Sequence, residues 1–263
     1  MVQSWRKYWK TAAMEATSFL GDSPIFVLDY LWRFLRVAVL LALWRTILTP
    51  QRVYSGMTIQ SVLTYTLIAE VFAEQLTPRT DFTWELHYGT ITTRFLQPIG
   101  LVGQFTSQSF GRWLLGFGLF SIPLLLGAPL LGVNPLPANL IAGLLFLPSL
   151  LLAISVGLAI DFTFGALMVY FEQNVYGVDR LRTAASTLLS GALLPLALYP
   201  WGIGGVFAWL PFASMASAPL QIYPGTGNPV RLLLLQAGWS VLLWPLARWL
   251  ERVHRERLVS FGG

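Results

Sequence analysis

The chain is predicted to be an all-α integral membrane protein, on three observations. Residues 113–160 and 183–230 contain no Asp, Glu, Lys, Arg or His. A helix needs only about 20 apolar residues to cross ~30 Å of hydrocarbon, so each stretch is long enough to cross, turn and return. Basic residues bracket these stretches: Arg112 before the first, Arg180 and Arg182 between them, Arg231 after the second, then Arg248, Arg252, Arg255 and Arg257. The composition agrees, with 55% hydrophobic and 11% charged residues, against about 25% charged in an ordinary soluble domain.

Composition also excludes several functions. The net charge of +5 is carried at the ends of apolar runs rather than along a polar face, which points to membrane topology and not to nucleic acid. There is no cysteine, so disulfides and thiolate metal sites are ruled out. No apolar core follows the early positive charges closely enough for a cleavable signal peptide. No internal repeat is visible. Residues 1–263 read as one transmembrane domain with no room for a soluble catalytic module.

The elements follow in order. Trp5, Tyr8, Trp9, Ala12, Ala16 and Phe19 share one helical face, and Arg6, Lys7, Lys10 and Thr11 the other. Such a helix, rich in aromatics and cations and too polar to span, is expected to lie in the membrane interface over residues 1–22. A first span is expected at 30–48, with Arg33, Arg36 and Arg45 near its ends, where long side chains snorkel, and Asp29 spaced to pair with Arg33. After a polar turn at 51–56, a second span covers 58–76, with Glu70 and Glu74 on one face. Residues 77–104 form the longest internal polar stretch. The third span is expected at 110–131, kinked at Pro123 and Pro129. Asn134, Pro135 and Pro137 mark a turn before the fourth span, 140–164, which carries Asp161 near its end. A fifth span is expected over 184–200 and a sixth over 230–247.

Basic residues set the orientation. The N-terminal segment, the 77–104 loop (Arg79, Arg94), the 172–182 segment and the C-terminal cluster carry most of them, so this side and both termini are expected to be cytoplasmic. Residues 201–225 must then lie at, or dip into, the outer face. Pro200, Pro211, Pro219 and Gly225 break them into short pieces. Irregular backbone at membrane depth needs protein or a wet cavity around it, so a re-entrant pair of short helices is expected.

Asp161, Glu70 and Glu74 are the candidate intramembrane polar groups, because a carboxylate at mid-bilayer costs ~2.5–3.5 kcal/mol and usually faces a partner or cavity. For Asp161 a cap or an ion pair with Arg180 or Arg182 weighs as much as a transport role, and the same holds for both glutamates. His87 and His254 are too few for a metal site. No Ser/His/Asp set and no phosphate-cradling G-x-x-x-x-G-K-[ST] is present, so the chain has no ATP-hydrolysing motif of its own.

The loop reads Trp84-Glu85-Leu86-His87-Tyr88-Gly89-Thr90-Ile91-Thr92-Thr93-Arg94-Phe95-Leu96-Gln97-Pro98-Ile99. It resembles the segment I-x-x-G-x-(I/L)-x-x-x-L-(L/x)-x-P-(I/L) of permease subunits in the six-span ABC-2 family of ATP-binding-cassette exporters, with Gly89, Ile91, Leu96, Pro98 and Ile99 matching. Ser190-Gly191-Ala192-Leu193-Leu194-Pro195-Leu196, then Tyr199-Pro200, Leu210-Pro211-Phe212, Ala218-Pro219 and Gly225, resemble its fifth span and outer region. Phe171-Glu172 and Tyr176-Gly177 also fit.

The resemblance implies six spans and a coupling helix within 77–104 that docks on a cytoplasmic ATPase. Trp84, Leu86, Tyr88, Phe95 and Leu96 would fill its groove, Glu85 and Arg94 would pair with the rim, and His87, Gly89 and Pro98 belong to the same coupling segment. It further implies two ATPase subunits, which bind the ATP and Mg that this chain does not, and a second permease subunit, identical or paralogous, in a bacterial inner membrane. Pro195, Pro200, Pro211, Phe212, Pro219 and Gly225 would gate the outer end. The rivals are a secondary carrier, which should show inverted repeats and midplane charges, and a lipid-modifying membrane enzyme, which should cluster its acids at one interface.

Overall fold

The computed structural model describes residues 2–21, 26–49, 53–54, 56–168 and 175–260. Among them the regular structure is helical, with no strand and one isolated antiparallel bridge between Tyr54 and Met57. Among the described residues three helices are long and apolar enough to cross a membrane: Leu101–Gly127, Leu140–Met168 and Pro229–Leu250. The side chains of Trp5, Phe19, Asp29, Phe171, Glu172, His254, Arg255 and Arg257 lie outside the described residues, so expectations resting on them find no counterpart below.

Helix α8, Leu140–Met168, is the axis of the molecule. It is uncharged except for Asp161 and buries small residues at Ala142, Ser149, Ala153 and Gly157, which lets neighbouring backbones approach closely. The last helix, α13 (Pro229–Ser260), packs along it. Gln236 ties the two together. Its amide donates to the carbonyls of Ser149 (3.0 Å) and Ser214 (2.9 Å), while its oxygen accepts from the Ser149 hydroxyl at 2.8 Å. A buried amide so satisfied incurs little desolvation penalty.

Helices α2 (Phe26–Ile47), α3 (Ile59–Val71) and α4 (Ala73–Leu76) form the next group. Arg33 pairs with Glu74 at 2.7 Å, and Arg36 pairs with Glu70. Residues three apart on α2 thus meet residues four apart on the α3–α4 face, as helical periodicity allows. Arg33 and Arg36 are turned sideways onto a neighbouring helix, and the Arg33 guanidinium lies 4.1 Å from the Phe120 ring centre. Glu70 and Glu74 are thus each paired with an arginine of α2.

Helix α6, Leu101–Gly116, runs through a π-helical turn at Phe117–Ser121 into α7, Ile122–Gly127. It begins within the stretch assigned to the polar loop. The expected distortion near Pro123 takes the form of this wide turn, since proline has no N–H for the helical ladder. The Ser121 hydroxyl donates to the Val71 carbonyl at 2.6 Å and fixes the turn against α3.

One expectation needs correction. The fifth span, placed at 184–200, is not one helix: α9 covers Val175–Leu189 and stops before Gly191, whose φ is +78°. Pro195 and Pro200 then permit only short 3-10 turns at Leu196–Leu198 and Pro200–Gly202. The N-terminal helix expected over 1–22 is α1, Val2–Gly21, and it docks along α6. A Cβ on Gly111 would lie 2.2 Å from the Ala12 carbonyl oxygen, so only glycine permits that approach. Tyr8 and Trp9 stay exposed beside this contact.

Between 203 and 222 the chain forms three short helices, α10 (Ile203–Phe207), α11 (Pro211–Met215) and α12 (Ser217–Ile222). Met215 packs with Val156, Ala159, Ile160 and Leu243, whereas the Tyr223 hydroxyl reaches the Pro135 carbonyl at 2.7 Å. The α11–α12 pair therefore extends from the first end of α8 to beyond its midpoint.

Candidate functional site

The segment between α4 and α6 carries the resemblance-derived site. Pro78–Thr80 has no regular structure. Helix α5, Phe82–His87, follows, then Gly89 with φ +72° and a 3-10 helix at Thr90–Leu96. Glycine at that left-handed position turns the chain sharply out of α5.

A register match with α8 anchors the segment. On α8, Gly157, Asp161 and Gly165 recur every four residues along one face, and they meet Pro78, Thr80 and Phe82. Four residues of helix advance about 6 Å, a distance that two residues of non-helical chain can match. A Cβ on Gly157 would lie 2.5 Å from the Pro78 ring, and one on Gly165 would lie 2.4 Å from the Phe82 ring. Between these two contacts Asp161 Oδ2 accepts from the Thr80 backbone N–H at 3.0 Å and from its hydroxyl.

Arg182 of α9 completes the joint. Its Nη1 lies 2.8 Å from Asp161 Oδ1, and its Nη2 donates to the Pro78 carbonyl at 2.6 Å. Asp161 is 1% exposed and Arg182 6%. Of the two arginines named from the sequence, Arg182 is the partner, while Arg180 faces outward. At the rim of the joint Arg79 donates to Thr183, and its guanidinium lies 3.4 Å from Asp179. Thr80, Gly157 and Gly165 did not stand out in the sequence, and Arg79 did so only as a cation that sets orientation. The Gly-x-x-x-Asp-x-x-x-Gly spacing of α8 was the available signal.

The expected docking residues divide into two sets. Leu86 is buried with Phe82, Ile91, Leu101, Phe105, Leu158 and Phe162, and Phe95 packs against the same cluster. Both therefore serve this chain's own core, a correction to the expectation that they fill a partner's groove. Glu85 and Arg94, expected to pair outward, clasp each other: Arg94 Nε donates to Glu85 Oε2 at 2.8 Å, and its Nη2 donates to Oε1. The bidentate carboxylate raises the Arg94 pKa, against the opposing effect of burial, and Arg94 lies 5.1 Å from the Phe105 ring centre.

The second set faces outward. Tyr88 is 68% exposed and Leu96 88%, with His87 and Pro98 exposed as well. Trp84, half-buried, stacks on Tyr88 with ring centres 6.3 Å apart and meets Tyr176 of α9 edge-on at 5.5 Å. His87 touches both tyrosine rings, at 5.1 and 5.5 Å. Two elements far apart in sequence thus build one aromatic surface.

The residues assigned to an outer gate are not brought to one rim. Pro211 starts α11 beside the second half of α8, where Phe212 meets the Phe164 ring at 6.5 Å. A Cβ on Gly225 would touch Ala138 at the first end of α8, and Pro219 is buried in α12. Pro195 and Pro200 open the two 3-10 turns.

No curated protein and no solved structure matches the chain. A family model described as "ABC-2 family transporter protein" matches residues 34–261, a range that takes in the 77–100 segment, its joint on α8 and the broken helices before α13. The chain is a multi-pass membrane component of an ABC transporter and belongs to the ABC-2 family of transporter proteins.

Proposed function

We propose that this chain is the permease subunit of an ATP-driven exporter, crossing a bacterial inner membrane six times with both termini in the cytoplasm. The crossings are α2, α3–α4, α6–α7, α8, α9 with its broken continuation, and α13. Two permeases, identical or paralogous, enclose the path, and two ATPase subunits bind ATP and Mg beneath them. The observation that carries this reading is the outward aromatic surface of Trp84, His87, Tyr88 and Tyr176 with Leu96 beside it, mounted on a base locked to α8. Buried aromatic anchors dominate protein interfaces, and an ATPase groove would bury these rings.

Movement of the ATPases displaces α5, and the Thr80–Asp161 and Pro78–Arg182 contacts pass that displacement to α8 and α9. This is rigid-body switching between two states. The sparse charge along the helices favours an apolar or amphiphilic cargo. Affinity purification of the native complex tests the reading, with an ATPase subunit expected to accompany the chain. Gly89→Trp and Leu96→Asp are expected to uncouple ATP hydrolysis from transport, and unchanged coupling in both would overturn the assignment.

A further inference from the structure

A groove of ≈ 700 Å³ opens between α1, α6, α8 and α13, within the size range of ligand pockets. Its walls are mainly apolar, with Trp9, Phe110, Leu151 and Leu158 among them, and Trp244 and Arg248 lie at the end nearest the start of α6. Arg248 is the one charged residue lining it. Its guanidinium lies 5.9 Å from the Trp244 ring centre and pairs with no carboxylate among the described residues. Trp244 itself is fixed by donating to the Ser155 hydroxyl at 2.9 Å. Further cations are exposed on the adjoining helices: Arg252 one turn along α13, and Arg6, Lys7 and Lys10 on α1.

We propose that this groove seats an anionic phospholipid from the leaflet on the side of the 77–100 segment, its acyl chain against Trp9, Phe110 and Leu151 and its headgroup phosphate on Arg248. The proposal rests on reading α6, α8 and α13 as membrane-spanning. An apolar slot ending in a guanidinium unpaired among the described residues, with aromatics beside it, matches the amphiphile's own division into chain and charge. A second copy of the chain matches it less well, because a symmetric contact would bring the same cations together at one rim.

The test is native mass spectrometry of the full-length chain, with its ATPase partner where one co-purifies, released from nanodiscs of equimolar phosphatidylglycerol and phosphatidylcholine. The wild-type protein is expected to retain phosphatidylglycerol about five-fold over phosphatidylcholine, the factor that corresponds to roughly 1 kcal/mol for one arginine near an anionic surface. Arg248→Gln, at an exposed position, is expected to bring the two lipids to parity without changing thermal stability. Thr106→Trp, which fills the groove, is expected to abolish retention of both. Equal retention by the wild type, an unaltered preference in Arg248→Gln, or cysteine cross-linking of Leu151 to a second copy would overturn the proposal. Loss of the ATPase partner with lipid preference intact would count against the permease reading alone.

Discussion

Asp161 on α8 holds Thr80 at two points, through the backbone N–H and through the hydroxyl, while the same carboxylate faces Arg182 on α9. One buried acid therefore joins the entrance of the 77–100 segment to two long helices. The carboxylate that the sequence left between transport and structure directs both oxygens at this chain's own groups, Oδ2 at Thr80 and Oδ1 at the Arg182 guanidinium 2.8 Å away. Its geometry is that of a joint.

Removing one partner of this pair should be worse than removing both. Asp161→Leu or Arg182→Leu is expected to destabilise by about 3–5 kcal/mol, because each leaves a buried group uncompensated. The double variant Asp161→Leu/Arg182→Leu should lose less than the two single losses added together. Thermal unfolding of the four proteins in detergent closes the cycle, and simple additivity would refute the joint.

The glycine seats make a second prediction. Gly157→Ala and Gly165→Ala force Pro78 and Phe82 to shift, at a cost of about 1–3 kcal/mol as for other overpacked sites. Gly118→Ala, where nothing lies within 4 Å, should be neutral or slightly stabilising. Limited proteolysis should cut the 77–100 segment faster in the first two variants and at the wild-type rate in the third.

Leu86 and Leu96 should respond oppositely. Leu86→Ala is expected to destabilise the chain by about 2–5 kcal/mol as a core truncation. Leu96→Asp, at a position 88% exposed, should leave melting unchanged and weaken ATPase binding by about tenfold or more if it is a hot spot. Binding and melting measured on the same preparations separate the two effects.

The Glu85–Arg94 clasp predicts a difference between similar cations. Arg94→Lys keeps the charge but cannot reproduce the two-toothed contact, so amide exchange across 85–96 should accelerate. Arg94→Lys exchanging like the wild type would show the clasp to be dispensable.

How much was legible beforehand follows from the range of the forces involved. The absence of charge over 113–160 marks α8 and its neighbours as apolar because hydrophobicity is a property of each residue. The breaks after Leu189 follow from Gly191, Pro195 and Pro200, whose effects are local, although the sequence reading extended a span through them. Helix periodicity placed Glu70 and Glu74 on one face but could not name Arg36 and Arg33 across the gap. By itself the sequence determined that the chain is helical and membrane-embedded, which family it resembles, and where its loop lies. Only the tertiary structure decided which loop residues point outward: Leu86 and Leu96 are equally apolar, and the packing of Phe82, Ile91 and Phe162 against α8 makes one core and leaves the other surface. It also chose Arg182 over Arg180, because neighbouring helical residues point about 100° apart for each step and only one face of α9 meets Asp161.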